Sequence, residues 1–243
     1  CLGTWLDWMA QGARVTGNLF HDNQSFDLFV EVDHGPFLVD NNLFLSPTMV
    51  LSVSQGGAYV HNLALGGLNI HEYDGRLTPY HKAHSTELAG MHDNPRGDDK
   101  YYNNLFIERA NFRNYNKVKM PVFMAGNVFL KGAKPCEQEK DALQKPEFDP
   151  EIRLVEKADG IYLDGNFDAS WAKERTRRLV TIELLGKAVI PDLPYENRDG
   201  SPLKVSTDYF GKNRNEVNPF PGPFEISESG KQSLKVWPVG EGK

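Results

Sequence analysis

Gly3-Thr4-Trp5-Leu6-Asp7-Trp8 and Asp27-Leu28-Phe29-Val30-Glu31-Val32 are two short runs that read as strands. Each places a carboxylate between apolar neighbours within the run, Asp7 and Glu31, 24 positions apart. Side chains alternate across a strand, so Leu6 and Trp8 are expected on one face, as are Val30 and Val32. Asp7 and Glu31 then lie on the opposite face, with Trp5 and Phe29. How close the acids stand depends on whether 24 residues is one structural repeat.

Self-similarity along the chain answers that question. The segment from Gly12 to Asn18-Leu19-Phe20 resembles the segment from Gly35 to Asn42-Leu43-Phe44. The pattern returns at Asn62-Leu63, Asn104-Leu105-Phe106 and Asn127-Val128-Phe129. The shared unit is an extended apolar run, an Asn, then Leu or Val, mostly followed by Phe. Successive Asn positions are 24, 20, 42 and 23 apart, the 42 reading as two periods or one with an insertion. Anchoring on Gly12 and Gly35 instead gives 23, so a one-residue slip of register is the alternative.

Short β-branched and aromatic strands at this period predict an all-β right-handed parallel β-helix, a solenoid only part of which is present, ending in an irregular C-terminal tail. No coil buries its own apolar face, so coils must stack, and a turn Asn can bond the Asn of the next coil in a ladder. A leucine-rich repeat would need a regular Leu pattern that is missing. A β-sandwich would not space Asn-hydrophobic-Phe so evenly.

The division expected is coils over 1–133, with an inserted loop at about 68–99, then final coils and a wrapping segment over 134–243. Four of the seven histidines fall between 71 and 92, and a long loop there could overhang a groove. Trp171 to Arg178 reads as a short helix, and Val180–Leu185 and Lys187–Ile190 read as strands. Asp74, Asp98, Asp99 and Asp164 read as solvated loop acids, with a calcium site at Asp98-Asp99 a remote alternative.

The 243 residues carry a net charge of −6, which argues against a nucleic-acid partner. No run of 18 apolar residues offers a membrane span. Two cysteines, Cys1 and Cys136, make neither a disulfide framework nor a zinc site. No signal fixes the compartment; cytoplasm and periplasm of a bacterium both stay open. The chain opens without Met, just before a strand, and is expected to be part of a longer protein.

Adjacent strands lie about 4.7–4.9 Å apart, so carboxylates in register on neighbouring coils are separated by roughly 5 Å. Retaining glycosidases hold their two acids about 5–5.5 Å apart and inverting ones about 6.5–9.5 Å. The repeat therefore points to retention, with one acid of the pair raised in pKa as proton donor. Trp5 offers an apolar face to a sugar ring.

The stretches Trp5 to Gly12, Gly17 to Asp22 and Asp27 to Asp40, with Tyr80-His81-Lys82-Ala83-His84 and Asn218 to Phe224, resemble glycoside hydrolase family 120. The Leu6-Asp7-Trp8 and Val30-Glu31-Val32 motifs carry that resemblance. It implies a β-xylosidase built on a right-handed parallel β-helix with an associated sandwich domain. It implies Asp7 as nucleophile, Glu31 as acid/base, a xylo-oligosaccharide substrate, and no cofactor or metal. It also implies that the chain works with an N-terminal portion lying outside this sequence. A homo-oligomer is left open. Trp5, Gln11, His34, Tyr80, His81 and His84 are the candidate substrate-binding residues. Two other readings stand beside it. A β-helix polysaccharide lyase would need basic residues beside acids on the strand face, whereas the basic residues here fall in expected loops. A non-catalytic carbohydrate-binding solenoid would need the two acids to face apart.

Overall fold

A computed structural model describes residues 1–240, and its regular structure is almost all β. The chain visits three parallel sheets in rotation. The first sheet holds β1 (Thr4–Leu6), β4 (Leu28–Glu31), β7 (Thr48–Val53) and β10 (Gly67–Ile70), in that order. The second holds β2 (Arg14–Thr16), β5 (Phe37–Asp40), β8 (Gly57–Val60), β13 (Lys100–Tyr102) and β15 (Phe123–Ala125). The third holds β3 (Leu19–Phe20), β6 (Leu43–Phe44), β9 (Leu63–Ala64), β14 (Leu105–Ile107), β16 (Val128–Leu130) and β17 (Leu143–Lys145). One passage through the three sheets is a circuit.

The spacing of 24 is the true register: Thr4, Trp5 and Leu6 pair with Leu28, Phe29 and Val30. Arg14 likewise pairs with Leu38. The ladder exists as well. The side-chain amide of Asn18 donates to Asn42 Oδ1 at 3.0 Å, Asn42 to Asn62 at 3.1 Å, Asn62 to Asn104 at 3.0 Å and Asn104 to Asn127 at 2.9 Å. Each Oδ1 also accepts the backbone N–H of the preceding ladder Asn. Buried backbone groups at the corner thus find partners that the short strands leave unsupplied. Asn62 bonds Asn104 directly, so the gap of 42 is one period with an insertion.

The residue before each ladder Asn is left-handed: Gly17, Asn41, His61, Asn103 and Gly126 have φ between 53° and 70°. Gly, Asn and His tolerate that region best, which explains the residue types at this step. At the corner between the first and second sheets, Gly56 has φ 74°, and a Cβ there would lie 2.5 Å from His34 O.

Inside the circuits the core is aromatic and aliphatic, with Phe20 stacked on Phe44 at 5.1 Å and Tyr59 on Tyr101 at 4.6 Å. Strand alternation sends Leu43, Leu63, Leu105 and Val128 outward from the third sheet. There they meet Leu163, Phe167, Trp171, Phe220 and Val236. Leu38, Ala58 and Val60 leave the second sheet and meet Val180, Leu185, Tyr195 and Val205. The C-terminal segment therefore covers the outer faces of the second and third sheets. Two buried guanidinium groups pin it: Arg214 donates to Asn41 Oδ1 at 2.7 Å, and Arg177 to Gly126 O at 2.7 Å. The outer face of the first sheet receives no such cover.

Several expectations change. The 68–99 segment is not a loop: β11 (Asp74–His81) and β12 (Leu88–Asn94) form an antiparallel hairpin. Thr78, Pro79 and Tyr80 sit across from His92, Met91 and Gly90, with the strand formers Thr78 and Tyr80 supporting the pairing once the turn closes. Asp98 and Asp99 are buried, not solvated, Asp98 paired to Lys100 and Asp99 bonded by Gly57 N–H. Asp74 and Asp164 are partly buried and pair with Arg76 and Arg153. The C-terminal segment carries its own antiparallel sheet, β18 (Arg153–Lys157), β19 (Gly160–Phe167) and β22 (Gly230–Trp237). Between β19 and β22, α1 spans Trp171–Glu174, and α2 (Ile182–Leu185) replaces the strand expected at 180–185. Leu184 and Leu185 N–H turn back to Thr181 O, and Gly186 at φ 66° ends the turn. A short pair, β20 (Lys187–Ala188) with β21 (Leu193–Pro194), follows.

Candidate active site

Glu31 ends β4 and Asp7 directly follows β1, at the same edge of the first sheet. Leu6 opposite Val30 is the last registered pair, and Asp7 and Glu31 are the residues that follow them in sequence. Trp5 and Phe29 are stacked at 5.3 Å on the same face, with Trp5 half exposed. Asp7 is exposed and accepts the Trp8 N–H at 2.9 Å. Glu31 is partly buried and accepts from Arg76 Nη1 at 2.7 Å.

Arg76 belongs to the hairpin and was not singled out from sequence. Its guanidinium binds both oxygens of Asp74, reaches Glu31, and lies 5.8 Å from the Trp8 ring centre. Both carboxylates push its pKa up, Asp74 more than Glu31. Trp8 is therefore exposed beside the hairpin and does not point inward with Leu6. β1 ends at Leu6, and the chain turns at Met9 with φ 65°, so alternation does not carry through to Trp8.

Asp33 is the second residue that sequence reasoning missed. Two positions past Glu31, it should share that face if the strand continued. Val32 at φ 50° turns the chain instead, and Asp33 is driven inside. Its Oδ1 accepts the Ala10 N–H at 2.6 Å, tying the turn after Asp7 to the corner after Glu31. Its Oδ2 meets no protein donor. Burial, with added repulsion from Asp7 and Glu31, pushes Asp33 up to about 8. A carboxyl kept neutral near pH 7 thus sits beneath the acid pair.

The other candidates fall in two places. His34 is buried, and its ring is fully engaged. Its Nε2–H donates to Thr78 O at 2.9 Å, and its Nδ1 accepts from Gln55. Burial lowers its pKa, so it remains a neutral brace under the hairpin and does not face an open cleft. Tyr80 is half-buried, edge-on to His34 at 5.9 Å. Gln11 and His81 clamp each other, Gln11 Nε2 to His81 O and His81 N–H to Gln11 Oε1, both at 3.0 Å. His84 contacts Glu196 at 3.0 Å. Gln11, His81 and His84 line an open pocket of about 420 Å³ between the turn at 9–14, the hairpin tip and the 193–198 loop. Asp7 and Glu31 do not line it; Met9, two residues past Asp7, does. The structure gathers Trp5, Asp7 and Glu31 at one place and Gln11, His81 and His84 at another.

Among the described residues, no group of three or more His, Cys, Asp or Glu is placed to hold a metal ion. No described helix is long and apolar enough to cross a membrane.

No family model matches the chain, and no curated protein matches it. Among solved structures it is similar to that of XylC in complex with xylose, at 35% sequence identity and a TM-score of 0.89. The likeness covers 97% of this chain and 41% of XylC, so this chain spans about two fifths of that protein's length.

Proposed function

We propose that the chain carries the catalytic circuits of a retaining glycoside hydrolase that removes β-linked xylose, similar to family 120. On this reading the three sheets are the faces of a right-handed parallel β-helix over 1–133, and 134–243 is the segment that wraps it. The observation that carries the proposal is the parallel register that pairs Leu6 with Val30, the residues immediately before Asp7 and Glu31. Likeness to a protein solved with xylose supports the glycone.

Asp7 attacks the anomeric carbon while Glu31 protonates the leaving oxygen; the covalent intermediate is then hydrolysed by water that Glu31 deprotonates. Trp5 supplies the apolar platform. Arg76 holds Glu31 in place. Asp7→Ala is expected to lower kcat on an aryl β-xyloside by about a thousandfold or more, equivalent to roughly 4 kcal/mol in barrier. Near-normal turnover would remove Asp7 from the role, and an α-configured first product would remove retention.

Arg76 also favours a second reading. A basic group lying against an acid on the strand face is the arrangement a polysaccharide lyase uses. An unsaturated product absorbing in the ultraviolet, formed from a uronate polymer, would select it.

A further inference from the structure

We infer that Arg96 holds a small monovalent anion, halide in size, in the corner between the first and second sheets. Arg96 lies two residues past the end of β12, at φ 66°, and precedes the bridge that pairs Gly97 with Gln55. It is fully buried. None of its three guanidinium nitrogens has a protein acceptor. A guanidinium presents five N–H groups in one plane, and a buried cation without acceptors or countercharge is strongly destabilising.

The nearby carboxylates are already committed. Asp74 gives both oxygens to Arg76. Asp99 accepts Gly57 N–H on one oxygen and the Tyr115 hydroxyl on the other, each at 2.9 Å. Burial lowers Arg96 to about 10, so the cation persists at neutral pH. Burial also raises Asp99 to about 7, which weakens it as a countercharge in that range. His34, packed nearby, stays neutral and adds none. Water would satisfy the N–H groups and leave the charge unanswered; an anion answers both. Full burial of the side chain, away from any open pocket, favours a small guest over phosphate or a sugar acid. The inference is independent of the hydrolase reading, because Arg96 lines neither the face of the first sheet nor the open pocket.

The test is a crystal of the full chain grown in a bromide salt and measured at the bromine absorption edge. An anomalous peak within hydrogen-bonding distance of the Arg96 guanidinium is expected. Thermal unfolding in chloride against gluconate, at constant ionic strength, should show a saturable rise of a few degrees that Arg96→Met abolishes. Ordered water alone at saturating bromide, bridging Arg96 to Gln55 Oε1, overturns the inference. So does an unfolding midpoint that ignores chloride in the native chain. If Arg96→Met does not fold, the bromide map of the native chain decides.

Discussion

Asp33 joins two circuits by accepting the Ala10 N–H, and its carboxyl is held neutral by burial near Asp7 and Glu31. Its pKa rises from 3.8 to about 8, and that of Asp99 from 3.8 to about 7. Between about pH 4 and 8 these two groups bind more protons in the folded chain than in the unfolded one, and their contribution to stability falls as pH rises through that window. Asp33→Asn keeps the Oδ1 acceptor and removes the titration. The variant should flatten the decline in urea midpoint between pH 5 and pH 8; an unchanged slope would place the effect elsewhere. Arg76 makes its own prediction. Arg76→Ala releases Glu31 Oε1 and uncovers Trp8, and kcat/KM on an aryl β-xyloside should drop about tenfold or more, roughly 1.4 kcal/mol. Unaltered kcat/KM would make the pair a surface contact only. Neither residue was legible in the sequence, for different reasons. Arg76 reaches Glu31 from 45 positions away, and nothing local announces that. Asp33 looked like a continuation of the strand, and only the backbone turn at Val32 reveals that it goes inside.

At the scale of elements, the ladder is the feature the sequence displayed most openly. Asn spacing, with Leu or Val after it, depends on contacts that recur every circuit, so the pattern is written repeatedly. Replacing Asn62 with Ala removes its amide from Val39 O at 2.8 Å and its Oδ1 from Asn42. The buried partners left behind make a loss of about 1–3 kcal/mol, readable in urea unfolding. A loss under a few tenths would mean that the corner relaxes and the ladder is ornamental. The hairpin was hidden because its strands pair only with each other. They repeat nothing, and their exposed Leu77, Leu88 and Met91 give no clean alternation. The short α2 was hidden because Val180 to Leu185 has strand-forming composition, while Gly186 and the Thr181 carbonyl dictate a turn.

At the scale of the molecule, coverage separates the three sheets. The C-terminal segment covers the outer faces of two, and the one beside the acids lacks that cover, with Arg76 of the hairpin reaching onto Glu31. Trp171 is central to the cover: fully buried, it packs against Phe148 at 5.3 Å and Phe220 at 5.9 Å. Trp171→Ala should cost about 3–5 kcal/mol and lower the thermal midpoint by several degrees. A loss confined to local proteolysis of 150–237, with the midpoint kept, would show that the cover and circuits unfold separately. The direct bond from Asn62 to Asn104 has one more consequence. The stack closes across the hairpin as though the hairpin were absent, so its length is insulated from the register that pairs β1 with β4. Doubling a flexible insertion costs only about 0.6 kcal/mol in closure entropy. Descendants of this chain can therefore swap the hairpin as a cassette, trading Arg76 or the His81–His84 tip for other chemistry, while the acids beneath stay in step.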